Sequence, residues 1–145
     1  MEPTTPRPGA PTGRPTSDVR LDHMIVFATD KHVSAEFFVE VFGLTAPSVA
    51  GHFAQVRLSD GRILDFAEPG IDFPGQHVAM LVDDPAFDHV MERLRSMRTE
   101  FWADPRMQRP GEHNTDHGGR GVYFRDPGGN YLEALTSRYD GSVLT

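Results

Sequence analysis

The chain reads twice, and this repeat limits its architecture more than any other feature. An apolar run at 21–28 is interrupted by His23, and a second run at 76–82 by His77, 54 residues later. Asp30 and Asp84 follow at the same separation. Each precedes a stretch of helical spacing, marked by Val33, Phe37 and Val41 in the first half and by Phe87, Met91 and Leu94 in the second. Further on the separation becomes 68, where Gly61-Arg62-Ile63-Leu64-Asp65 matches Gly129-Asn130-Tyr131-Leu132-Glu133. The additional 14 residues fall in the polar stretch between Asp104 and Gly119. A duplicated α/β unit points to two like modules that share one core, because units of this size seldom bury enough surface alone.

Local signals divide each half in the same way. Asp30 is placed to cap a helix that Gly43 ends. Strands follow at 53–58 and 62–67, joined through Ser59, Asp60 and Gly61. In the second half Pro85 beside Asp84 opens a helix, 99–102 reads as a short strand, and 121–124 and 131–136 form the closing pair across the turn Asp126-Pro127-Gly128-Gly129. The expectation is a single α+β domain over 20–139, made of two βαβββ modules at 20–69 and 76–138. Residues 1–19 hold five prolines and no large apolar residue between Met1 and Val19, so they are expected to be a disordered tail. Deleting residues 1–18 should leave the melting temperature within about 2 °C of the full chain. A large fall in thermal denaturation would instead show that the tail docks on the body.

Composition removes several function classes. Without cysteine there are no disulfides, thiolate metal sites or cysteine nucleophiles. A net charge of −7 has little to offer nucleic acid or an anionic membrane surface by charge alone. No apolar run approaches the ~20 residues of a bilayer span, and the first residues lack a signal peptide's apolar stretch; the chain is expected to be cytoplasmic. There is no phosphate-binding glycine loop and no Gly-x-Ser-x-Gly elbow.

The chemistry is expected where polar groups interrupt apolar strands. His23 and His77 stand at matching places, and Asp65 and Glu133 lie inside the last strand of each half. An ionised carboxylate buried alone costs several kcal/mol, so such groups are usually paired or metal-bound. Two imidazoles with carboxylates suit Fe, Mn, Zn, Ni or Co, and two His with one carboxylate is the arrangement of non-haem iron sites. His23, His77 and Glu133 are therefore the expected ligands of one divalent ion. Asp65, one methylene shorter than Glu133, is expected as a fourth ligand, or else as a hydrogen-bond acceptor or base.

Three segments, Leu21-Asp22-His23-Met24-Ile25-Val26, Gln76-His77-Val78-Ala79-Met80-Leu81-Val82 and the stretch from Tyr123 to Glu133 through Asp126-Pro127-Gly128-Gly129-Asn130, resemble the ligand segments of the vicinal oxygen chelate superfamily, the glyoxalase, bleomycin-resistance and extradiol-dioxygenase group. The resemblance runs from Leu21 to Arg138. It departs at Gly128-Gly129-Asn130, where the family more often has Asp-Gly-His or Asp-Gly-Tyr; that change touches the turn and not the ligand. The resemblance implies two βαβββ modules curling into a mixed sheet around a metal, with His23, His77 and Glu133 in the three common ligand places. Asp65 takes the place where glyoxalase I-like members have a fourth ligand. It also implies a homodimer and a small substrate held through two adjacent oxygens, converted by isomerase, lyase or ring-cleaving dioxygenase chemistry. The alternative is a binding protein of the bleomycin-resistance type that sequesters an antibiotic without catalysis.

Further expectations attach to single residues. Tyr123 is placed to hydrogen-bond near the metal, and His113 to act as an acid or base. Arg120, His117, Trp102 and Phe53 are candidates for contacting substrate, the first two from a Gly-flanked polar loop of the kind that rims a site. His32, His52 and His89 read as structural or exposed.

Overall fold

A computed structural model describes residues 17–145; the expectation of a disordered tail falls, for residues 1–16, outside the described residues. The first module contains β1 (His23–Phe27), α1 (Lys31–Phe42), β2 (Ser48–Ala50), β3 (Phe53–Arg57) and β4 (Ile63–Ala67). The second contains β5 (His77–Leu81), α2 (Asp84–Ser96), β6 (Phe101–Trp102), β7 (Gly121–Arg125) and β8 (Tyr131–Leu135). Each module forms a four-stranded sheet in the same order, β1-β4-β3-β2 and β5-β8-β7-β6. In both, the first strand runs parallel to the last and the other pairs are antiparallel. The duplicated α+β architecture is therefore as expected. Strand β2 was not legible: Ser48-Val49-Ala50 is a short edge with Val49 exposed, so it lacks a buried alternating pattern.

Helix ends follow from local chemistry. The Asp30 carboxylate accepts from the backbone N–H groups of His32 and Val33 at 3.0 and 3.1 Å, a cap that contributes about 1 kcal/mol. Gly43 ends α1 at φ +67°, a conformation glycine adopts without steric cost. In α2 the cap is Asp83, one residue before the expected Asp84, with Pro85 in the first turn. The buried face of α1 is also shifted. Ser34, Ala35, Phe38, Val41 and Phe42 point inward, whereas Val33 is exposed and Phe37 only partly covered.

Both helices pack into one core. Phe38 meets Phe66 of β4 with ring centroids 5.9 Å apart, and Phe42 meets Phe124 of β7 at 6.0 Å. The first helix thus reaches across to the second sheet. Glu40 and Arg93 pair between the helices, and the His89 ring lies against Gly43 with Nε2 3.2 Å from the Glu40 carbonyl.

Side chains stitch the two sheets together at one point. The Gln76 side chain accepts from the Phe27 N–H at 2.6 Å and donates to the Ile25 carbonyl at 3.1 Å. Asn130, fully buried, donates to the Phe27 carbonyl at 2.7 Å and to Asp126, and accepts from the Gln76 N–H at 3.0 Å. This seam joins the C-terminal end of β1 to the N-terminal end of β5. No helix among the described residues is long and apolar enough to cross a membrane.

Candidate functional site

Strand alternation decides what each sheet offers on the face away from the helices. In β1 and β4, Val26, Leu64 and Phe66 enter the core, leaving His23, Ile25, Ile63 and Asp65 on the opposite face. In β5 and β8, Val78, Leu132 and Ala134 enter the core, leaving His77, Ala79, Tyr131 and Glu133. The registers are equivalent: Asp65 lies opposite Ile25 and Gln55, and Glu133 lies opposite Ala79 and Tyr123. Each module therefore presents a carboxylate flanked by a histidine strand on one side and a hydrogen-bonding side chain on the other.

In the first module, Gln55 donates its amide to Asp65 at 2.7 Å. His23, 58% exposed at its side chain, places Nδ1 2.7 Å from Asp22. A carboxylate can only accept, so Nδ1 carries the proton in the neutral ring and Nε2 keeps its lone pair free. The hydrogen bond that His23 donates to Asp22 raises its pKa, the charge of Asp22 adds to this, and Asp65 contributes less. Neither Gln55 nor Asp22 was singled out from the sequence. The repeat offset of 68 that carries Asp65 onto Glu133 also carries Gln55 onto Tyr123, so that signal was present.

In the second module, Glu133 is only 2% exposed. His77 Nε2 stands 3.2 Å from its Oε2, and the Tyr139 hydroxyl lies 3.3 and 3.4 Å from its two oxygens. Burial, then hydrogen bonds to Glu133 and Tyr139, push the Tyr123 phenol well above the ordinary tyrosine range. The Tyr139 and His117 rings meet at a tilt of 43°, with centroids 4.6 Å apart. Glu133, Tyr123, Tyr139 and His117 line a cavity of about 60 Å³. A second cavity of about 120 Å³ shares the Tyr123 ring and is bounded by His77, Trp102, Met107 and Tyr131. Polar and apolar recesses thus lie on either side of one phenol.

Other candidates are placed differently. Arg120, a candidate for contacting substrate, does border the smaller cavity, but its guanidinium lies over the Phe87 ring, bound to Asp84 at 2.8 Å and Asp88 at 2.7 Å. Its charge is matched by the two aspartates of α2. His113 is exposed, with its ring on the edge of Phe87, and lines neither cavity. Phe53 opens β3 in the first sheet and lines neither cavity as well. Trp102 and His117 do line the cavities beside His77 and Glu133.

The donor types suit a divalent cation. Among the described residues no Lys or Arg pairs with Asp65 or Glu133, so two nearly buried carboxylates have only imidazole, amide and phenol partners. A bound cation would offset the cost of burying their charge. The distribution is divided, however. No three His, Asp or Glu side chains among the described residues stand close enough to hold one ion. His77 directly follows the seam residue Gln76, whereas His23 opens β1, four residues before Phe27 and so about 13 Å along the strand from it.

A family model described as Glyoxalase/Bleomycin resistance protein/Dioxygenase superfamily matches residues 20–134. The solved structure of Oxidase ChaP-H1 shares 45% identity, covering 86% of this chain and 100% of its own, with a TM-score of 0.82. Oxidase ChaP-H2 shares 41% identity over 86% of this chain and 98% of its own, also with a TM-score of 0.82. Lactoylglutathione lyase from Agrobacterium tumefaciens, at 19% identity, 84% and 97% coverage and a TM-score of 0.61, is a likeness of fold.

Proposed function

Since the chain belongs to the Glyoxalase/Bleomycin resistance protein/Dioxygenase superfamily, we propose that it is a metal-dependent enzyme acting on a small oxygen-rich molecule held through two neighbouring oxygens. His23, His77 and Glu133 are the ligands, and Asp65 is the fourth donor or a base. The observation that carries this is the repeat-related pair of buried carboxylates, each beside a histidine strand and neither paired with Lys or Arg among the described residues. A bound metal supplies Lewis-acid or redox chemistry at such a site. The likeness to two oxidases, at 45% and 41% identity, favours oxidative chemistry over isomerase or lyase chemistry.

His23 and Asp65 belong to the first module and His77 and Glu133 to the second, and among the described residues no three of these side chains come together. A single ion is then shared between two copies, the first-module face of one meeting the second-module face of the other, which makes the protein a two-fold homodimer with two equivalent sites. In that arrangement Tyr123 and Asp65 bracket the substrate's oxygens, while Trp102, Met107 and Tyr131 exclude water from its apolar part.

The test is ligand affinity and product formation with and without EDTA treatment, using catechols and α-hydroxythiol adducts. Chelation is expected to abolish both, and Asp65→Asn to lower turnover by about 100-fold, the usual scale for losing a positioned acid or base. Equal affinity with and without metal, together with no product by mass spectrometry, would replace the enzyme with an antibiotic-sequestering protein.

A further inference from the structure

The described chain continues past its second repeat. β8 closes at Leu135, and the residues after it form a compact hairpin. Ser137 bridges to Val143, the Arg138 N–H donates to the Ser142 carbonyl at 2.8 Å, and the Gly141 N–H returns to the Arg138 carbonyl at 2.8 Å. The Asp140 carboxylate accepts from both the backbone and the hydroxyl of Ser142. The Ser137 hydroxyl fastens the base of the hairpin to the preceding loop at the His117 carbonyl, 2.8 Å away. The hairpin holds the Tyr139 ring against the His117 ring and sets its hydroxyl 3.3 and 3.4 Å from the two oxygens of Glu133. The offset that relates Glu133 to Asp65 brings Tyr139 onto Ile71, an exposed residue of the inter-module linker, so the first module has no such group.

Tyr139 is 65% exposed, and burial of its ring accounts for little of this placement. The hydroxyl is the part that makes a specific contact. Glu133 offers Oε2 to His77, and a hydroxyl astride both oxygens opposes rotation of the carboxylate about its last bond. Carboxylates that ligate metals are commonly held in this way, and loss of such a partner typically weakens metal binding by about 10–100-fold.

We propose that Tyr139 is a positioning residue, whose hydroxyl orients the Glu133 carboxylate for metal binding. This rests on the reading of Glu133 as a ligand, and the experiment separates the two. The full chain, stripped with chelator, is titrated with Co2+ by calorimetry and through the fluorescence of Trp102, the protein's one tryptophan, which borders the His77 cavity. Tyr139→Phe, which keeps the ring, and Tyr139→Leu, which does not, are compared with wild type and Glu133→Gln. Both Tyr139 variants should bind Co2+ about 10–100-fold more weakly, with melting temperatures close to wild type. A Tyr139→Phe protein that binds like wild type, while Glu133→Gln binds poorly, overturns the role of Tyr139 and leaves Glu133 a ligand. Loss of affinity that appears only together with loss of the folding transition, or only in Tyr139→Leu, also overturns it, since the hydroxyl would then not be responsible. Wild-type protein that takes up no Co2+ overturns both.

Discussion

Metal content should fall to near zero in His23→Ala and in His77→Ala, and should return in part when the two variants are unfolded and refolded together. In the proposed homodimer each substitution removes one imidazole from every site. In a mixed dimer with sites shared between copies, one site lacks both histidines and the other lacks neither. Random pairing makes about half the dimers mixed, so about a quarter of all sites are restored. A site contained within a single chain would recover nothing on mixing. Metal analysis of untagged protein gives the answer, with sedimentation confirming that the variants remain dimers. Wild-type levels of metal in either single variant would end the assignment of that histidine.

The second large effect concerns the fold. Asn130→Ala should destabilise the protein by about 3 kcal/mol, because it removes partners from polar groups in both modules that are buried wholly or in part, each worth about 1–3 kcal/mol when left unsatisfied away from water. The groups are the part-buried Phe27 carbonyl and Gln76 N–H and the buried Asp126 carboxylate. Burial already raises the pKa of Asp126, against the opposing effect of N–H donors from Asn130 and Gly128. For a domain of this size the melting temperature should fall by about 6–12 °C. Asn130→Asp keeps an acceptor for Gln76 but brings a second carboxylate beside Asp126, and should be no better. A change below about 2 °C would show that the seam is not what joins the modules.

Much of this was legible because it is local or repeated. Asp30, Gly43 and Pro85 announce helix ends through their own side-chain chemistry, and the two separations of 54 and 68 are enough to align His23 with His77 and Asp65 with Glu133. What the sequence hid depends on distant partners. Asn130 reads as a turn residue until Phe27 and Gln76 are seen beside it. Arg120 reads as a free cation because Asp84 and Asp88 lie more than thirty residues earlier. Tyr139 lies beyond the repeat, so no register pointed to it. That His23 and Asp65 do not gather with His77 and Glu133 among the described residues was equally hidden, since residue spacing records which strands carry a side chain and not which ends of those strands meet.

The seam also bears on how the protein avoids its neighbours. A glutamine carboxamide has the same donor and acceptor as a peptide group, and Gln76 uses both against the backbone of β1. Together with Asn130 at the Phe27 carbonyl, it ends the first sheet as though one more peptide unit of a strand were present. An unprotected outer strand is a template on which other chains add and aggregate. Here the template is occupied at its C-terminal end by side chains that cannot themselves be extended, so growth of the sheet stops there without a ninth strand.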